Sequence, residues 1–324
     1  MLASLAAAAG AAFAADRPEL GLPIVCEPHK TCFIQSYVDF DPGPGVSDFT
    51  CGGASYDAHS GTDFRLLSAA ESKPSIAVIA SAEGVVKGVR DGVADIFVSK
   101  GPPGAVTGRE CGNGVVIDHG GGWETQYCHM KQGSVAVKTG QPVKRGDKLG
   151  EVGYSGKADF AHVHLTVRHD GKTVDPFLPD AVDGACNGDA KGPGLWTADA
   201  AAAFPYVKGE IIAAGFTSAA VAHDALEVDD AVAPLTAAAP TLLLYARFIN
   251  LRKGDRVRLT ISGPGGPFIT QESQPLEGNK ATYTAIAGRK LKTERWPAGA
   301  YQGKVEIVRD GAAFAARDAS FEIP

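Results

Sequence analysis

Between residues 56 and 180 the chain is cut by glycine turns into short alternating or β-branched runs, a pattern that restricts it to an all-β fold. Such runs extend from Ile76 to Ala80, Val85 to Val89, Ile96 to Ser99, Gly114 to Asp118, Glu124 to His129 and His162 to Arg168. Segments this short, bounded by glycine and polar residues, read as strands and leave no space for the helices of an α/β unit. The turn His119-Gly120-Gly121-Gly122 is expected to fold two of them into a hairpin, with His119 exposed to solvent. The expectation for 56–180 is a small antiparallel, barrel-like domain with an open groove.

The flanking segments differ in composition. Residues 16–55 are rich in turn formers, such as DPGPG from Asp41 to Gly45, and hold three cysteines. They read as an irregular lead-in pinned by disulfides. Residues 181–204 are loop-like and then alanine-rich, which suggests a linker. Residues 205–324 return to β patterning, with LLLYARFINL (Leu242 to Leu251), RVRLTIS (Arg256 to Ser262), YQGKVEIV (Tyr301 to Val308) and the turns GPGG and Arg309-Asp310-Gly311. This pattern predicts a β-sandwich-like module. A length of 324 residues suits two such domains, and 44% hydrophobic residues suffice for packed cores.

Charge and cysteine usage narrow the setting. The net charge is −6 and no Lys/Arg cluster stands out, so a nucleic-acid partner is not expected. The first fifteen residues, MLASLAAAAGAAFAA, form a short apolar run ending in Ala12-Phe13-Ala14. They read as a signal peptide or its remnant, although the usual positive start is missing; an alanine-rich tail is the plainer alternative. The run is too short to span a membrane, and no later segment is apolar enough to do so. Six cysteines without a CxxC pair fit three disulfides in an oxidising compartment, periplasmic or secreted. Cys111 and Cys128 flank one apparent hairpin and are the best candidate pair. The six cysteines lack the short paired spacing of zinc knuckles.

Three short motifs carry chemistry. In AHVHLTV, from Ala161 to Val167, strand alternation puts His162 and His164 on one face and Val163, Leu165 and Val167 on the other. Two adjacent imidazoles in a pocket suggest a bound metal, whereas on an open strand they would be only a surface pair. In His59-Ser60-Gly61-Thr62-Asp63, an imidazole and a carboxylate four positions apart converge if the chain turns at Gly61. A catalytic zinc takes three protein ligands and keeps a position for water. His59, Asp63 and one histidine of the AHVH strand would supply those three. His129, in QYCHM, is by itself more often structural, but beside the other motifs it becomes a candidate acid or base.

Taken together, HSGTDF, QYCHM and GYSGKADFAHVHLTV, preceded by TGQPVKRGDKLGEV, resemble the LytM/lysostaphin-type zinc metallopeptidases over residues 56–178. The resemblance implies that His59, Asp63 and His164 bind one Zn²⁺. It implies that His162 and His129 act in catalysis, with peptide cross-bridges of bacterial peptidoglycan as substrate. The C-terminal module would then bind wall or a protein partner, or simply pack on the catalytic domain. Other readings are a non-catalytic regulator of wall amidases and a peptidase of exported proteins. Relatives acting as regulators have lost ligands, and none is lost here. Tyr56 could donate to a developing oxyanion, but a strand tyrosine is more often core. Asp39, Asp41 and Asp48 offer carboxylates for an N-terminal plug over the metal, although Asp-rich turns are usually only turns. His29, His169 and His223 have no partner pattern. GYSGK lacks the spacing of a phosphate loop, and no GxSxG elbow is present.

Overall fold

The computed structural model describes residues 17–72, 75–102, 104–181, 185–188, 192–229 and 232–324. The signal-like residues 1–15 lie outside the described residues. The protein is nearly all β, and most of its strands pair antiparallel. The first sheet takes β1 (Cys32–Ser36), β2 (Thr62–Leu66), β4 (Gly84–Arg90), β5 (Asn113–Gly120), β6 (Trp123–Met130), β7 (Pro142–Val143) and β9 (His162–His169) in the order β1-β2-β9-β6-β5-β4-β7. A short β10 (Lys172–Val174) also pairs with β9, and β3 (Ala77–Ile79) pairs with β8 (Lys148–Glu151) in a separate ribbon.

Local sequence accounts for these elements. The β5–β6 hairpin pairs Gly120 with Trp123, leaving Gly121 and Gly122 as a two-residue turn with φ of 57° and 81°. A turn with both central residues at positive φ matches the right-handed twist of the strands, and glycine adopts it without a Cβ penalty. On β9, Val163, Leu165 and Val167 are buried in the core with Tyr127 and Ile117, as strand alternation requires.

The flanks pack more closely than their composition suggests. Residues 16–55 contribute β1, which pairs with β2, and Leu20, Ile24 and Phe49 enter the same core. Leu195, Trp196 and Phe204, in the stretch read as a linker, are buried there too. Thr197 caps the short helix α1 (Ala198–Ala203) by accepting from the Ala200 N–H. Three disulfides join Cys26 to Cys32, Cys51 to Cys186 and Cys111 to Cys128. Cys51–Cys186 ties the two flanking stretches to one another. His119 departs from its expected exposure. It is buried in β5, with its ring between the Glu83 carbonyl (2.6 Å) and the Thr125 hydroxyl (2.8 Å).

The C-terminal module is a sandwich of two sheets. One contains β11 (Glu210–Thr217), β12 (Thr241–Leu251) and β15 (Lys280–Lys290) in the order β11-β12-β15. The other contains β13 (Arg256–Gly263), β14 (Gly266–Glu272), β16 (Gly299–Arg309) and β17 (Ala312–Ile323) in the order β14-β13-β16-β17. Leu242, Leu244 and Phe248 of one sheet meet Leu259, Val305 and Ile307 of the other. A single-turn helix, α2 (His223–Val228), connects β11 to β12 and lies against the first domain.

Candidate metal centre

The site forms on one face of β2 and β9. Antiparallel register sets Asp63 opposite His164 and Arg65 opposite His162. Because β2 and β9 both alternate, Asp63, Arg65, His162 and His164 share that face while Phe64, Val163 and Leu165 fill the core. His59 arrives from the loop before β2. Its backbone is held by the N–H of His59 donating to the Tyr56 carbonyl, and its own carbonyl accepts from Asp39.

Three ligand atoms converge. His59 Nε2 lies 3.2 Å from Asp63 Oδ1 and 3.1 Å from His164 Nδ1, and the last two atoms are 2.8 Å apart. All three residues are buried. His59 Nδ1 faces the Tyr37 carbonyl at 2.7 Å, and a carbonyl only accepts. That nitrogen therefore carries the hydrogen, and Nε2 is the atom that His59 offers to a metal ion. His164 turns its Nε2 to the Thr166 hydroxyl, 3.0 Å away. Tetrahedral ligands at ordinary Zn–N and Zn–O lengths sit ~3.3 Å apart. The triangle is close to that size, and its His₂Asp donor set is one that zinc accepts. The residues present therefore fit a zinc ion.

His162 and His129 border the triangle. His162 Nε2 is 3.6 Å from Asp63 Oδ1, and the His129 ring lies 4.5 Å from that of His162. Both rings are fixed in the same sense. His162 Nδ1 donates to the Phe160 carbonyl at 2.9 Å, and His129 Nδ1 donates to the Ser155 carbonyl at 2.8 Å. Each neutral ring therefore keeps its lone pair on Nε2. Strict alternation along β6 would point His129 to the core side with Tyr127. A φ of 63° at His129 breaks the alternation and brings the ring beside His162 and His164. Such a conformation is strained for a residue with a Cβ and is typical of functional positions.

Electrostatics separate these groups. Burial acts to raise the Asp63 carboxyl, but His59, His162 and His164 hold it well below the ordinary carboxylate range. Burial lowers His59, and Asp63 more than reverses it. Burial pushes His162 down to about 4 against the pull of Asp63. Burial and the two neighbouring imidazoles, His162 and His164, push His129 well below its usual value. His162 and His129 are thus neutral proton acceptors at neutral pH.

Around this centre the remaining candidates separate. Tyr56 is half exposed rather than core, with its ring 4.3 Å from His59. Asp39 accepts from the backbone N–H groups of Asp41, Ser47 and Ala58, and Asp48 from those of Thr50, Gly52 and Ala54. Asp39 and Asp48 shape loops. Asn113 bridges the Val93 and Met130 carbonyls beside the Cys111 hairpin. His169 stacks on Trp123, and His29 pairs with Glu210 at 2.8 Å. A cleft of about 530 Å³ opens beside His59, bounded by Asp39, Ser60, Lys172 and Asp175. Gly61 serves a purpose other than turning the chain. A Cβ there would lie 2.5 Å from His164 Nε2 and 2.6 Å from the Leu165 carbonyl, so glycine permits the close approach of β9. The carbonyls of Tyr37, Ser155 and Phe160 that orient the rings left no mark in the sequence, because any residue supplies one. Thr166, two residues from His164 on the same face, could have been read.

One segment of the chain matches a known family. Residues 57–176 match the family model of Peptidase family M23, the segment that contains all five histidine and aspartate positions. The resemblance to LytM/lysostaphin-type peptidases is therefore shown over this segment. The cell division protein DipM of Caulobacter vibrioides is 40% identical over 73 residues, 21% of this chain and 12% of that protein. The peptidoglycan DD-endopeptidase ShyB of Vibrio cholerae is 36% identical over 69 residues, 21% of this chain and 16% of that protein. The chain thus spans under a fifth of the length of either relative. Among solved structures, a variant of the catalytic domain of the prophage-encoded M23 protein EnpA from Enterococcus faecalis is 23% identical. It covers 51% of this chain and 95% of that one, with a TM-score of 0.32.

Proposed function

We propose that the protein is a zinc metalloendopeptidase that hydrolyses peptide cross-bridges of bacterial peptidoglycan outside the cytoplasm. The observation that carries this reading is the His59–Asp63–His164 triangle with the Nε2 lone pairs of His162 and His129 beside it. Endopeptidase relatives that act on peptidoglycan support the substrate. Three disulfides support a periplasmic or secreted setting.

Catalysis belongs to residues 56–180, and residues 205–324 form the companion module. His59, Asp63 and His164 would hold the ion. When bound, zinc supplies a Lewis acid that polarises a carbonyl and makes water acidic enough to deprotonate near pH 7. His162, neutral and with Nδ1–H fixed on the Phe160 carbonyl, accepts the proton of the attacking water at Nε2. Asp63 at 3.6 Å stabilises the resulting imidazolium. The proton taken up at His162 Nε2 then passes to the leaving amine, directly or through His129, which stabilises the oxyanion only while it carries that proton.

The test measures zinc content and digestion of purified peptidoglycan, with released muropeptides followed by mass spectrometry, for the wild type and His162→Ala. One zinc per chain and cleaved cross-links, lost in the variant, are expected. Bound zinc without cleavage would replace the enzyme by a wall-amidase regulator, and no zinc would overturn the site.

A further inference from the structure

The face of β2 and β9 that carries the metal centre continues without a break into the contact with the C-terminal module. Arg65, two residues beyond Asp63, is fully buried. Its Nη2 lies 2.6 Å from Glu227 Oε2 on α2, its Nη1 donates to Gln35 Oε1 at 2.8 Å, and its Nε donates to the Leu66 carbonyl at 3.0 Å. Glu227 in turn meets Arg247 Nη2 of β12 at 2.8 Å, and its carbonyl accepts from the Ala69 N–H. Every hold on Arg65 therefore fixes its guanidinium in one place.

That guanidinium lies over the Phe160 ring, 4.8 Å from the centroid. Phe160 stacks on His162 at 4.3 Å, and its carbonyl accepts the His162 Nδ1–H. The stretch leading to Phe160 is braced a second time from the same direction. The Val98 N–H donates to Ala158, the Ser99 N–H donates to Asp159 Oδ1, and Lys100 pairs with Asp224 of α2 at 3.2 Å.

We propose that Glu227 of the C-terminal module is a positioning residue for His162, acting through Arg65 and the Phe160 ring. This rests on the reading of His162 as the proton acceptor. The module is then a working part of the site rather than only a tether to wall or partner. A buried ion pair made from two units fixes relative position, which is what the ring of a general base requires.

The experiment compares five full-length variants on a cross-linked muropeptide. Glu227→Gln and Phe160→Leu are each expected to lower kcat about 10-fold with KM unchanged. The double variant should lower it no further than the stronger single one, because both act on one chain of contacts. Glu227→Asp, which keeps the charge, should recover part of the loss. Glu210→Gln removes the charge from a different contact between the same two units, that with His29, and should leave kcat unchanged. All should bind one zinc. Additive losses, or equal losses in Glu227→Gln and Glu210→Gln, would overturn the proposal.

A second readout does not need turnover. In protein labelled with ¹³C-histidine, the His162 ring resonances should shift or broaden in Glu227→Gln and Phe160→Leu but not in Glu210→Gln. Loss of this effect sinks the positioning role even in an active enzyme. Its presence in a wild type that cleaves nothing upholds the contact chain and sinks only the peptidase reading.

Discussion

Two buried polar clusters lie side by side on β2 and β9, and they are built on opposite logic. Around Glu227, one carboxylate meets Arg65 and Arg247, with Gln35 and the Leu66 and Leu67 carbonyls taking further guanidinium hydrogens. Donors face acceptors, and one carboxylate closes the cluster by joining both guanidinium groups. Around Asp63, three groups that can each offer a lone pair converge, His59 Nε2, His164 Nδ1 and a carboxylate oxygen, so a proton or a metal ion must sit among them. Burying polar groups is costly unless they are paired. The first cluster sets carboxylate against guanidinium, and the second meets that condition only with a proton or a metal ion among its ligand atoms. Burial and charge are thus poor guides to function by themselves. The informative question is whether donors and acceptors balance.

Breaking the closed cluster should have the largest effect. Glu227→Ala leaves two buried guanidinium groups without their shared carboxylate and is expected to cost about 3–5 kcal/mol. Urea unfolding measures it, and the loss should be the same with and without zinc. A loss under ~1 kcal/mol would mean that water solvates this interface and that the two clusters are not distinct.

The open cluster should respond to metal instead. Zinc at a hundredfold excess over its Kd should raise the unfolding free energy by about 2.7 kcal/mol. Denaturation with and without chelator reads this directly. The gain should persist in Glu227→Ala and vanish in His164→Ala. If both variants lose it, the clusters are one cooperative unit.

The smallest effect concerns a half-open pair at the edge of the same interface. The hydrogen bond to Glu210 raises His29 above its ordinary value of 6.5, against partial burial. A raised histidine contributes stability that is complete below the unfolded value and fades as pH rises through the folded one. The pair is partly solvated, so the contribution should stay under ~1 kcal/mol. Melting temperatures of the wild type and His29→Gln should differ at pH 5.5 and converge by pH 8.5. A gap that widens with pH would reverse the sign and rule the pair out as a contact between the two units.

Much of this architecture is legible in the chain's local patterns. Glycine turns and alternation identify β5, β6, β9 and the sandwich strands, because pleat and turn geometry are local properties of a few residues. The chemistry of the donors is legible as well, since HxxxD and HxH name their side chains. The lead-in and linker are harder. Leu20, Trp196 and Phe204 are isolated apolar residues in polar or alanine-rich surroundings, and no period marks them as core.

What the sequence determined, then, is the strands, the turns and the set of candidate metal-binding and proton-transfer groups. Alternation alone left His162 and His164 equivalent, since both point to one face. The register of β2 on β9 distinguishes them, setting His164 beside Asp63 and His162 beside Arg65. A local backbone twist at His129, fixed by contacts of Cys111 and Ser155 from other parts of the chain, decides where its ring points. The partnership of Arg65 with Glu227 joins residues 162 positions apart. Local rules cannot anticipate such meetings, because they depend on which distant segments the core brings together and in what register.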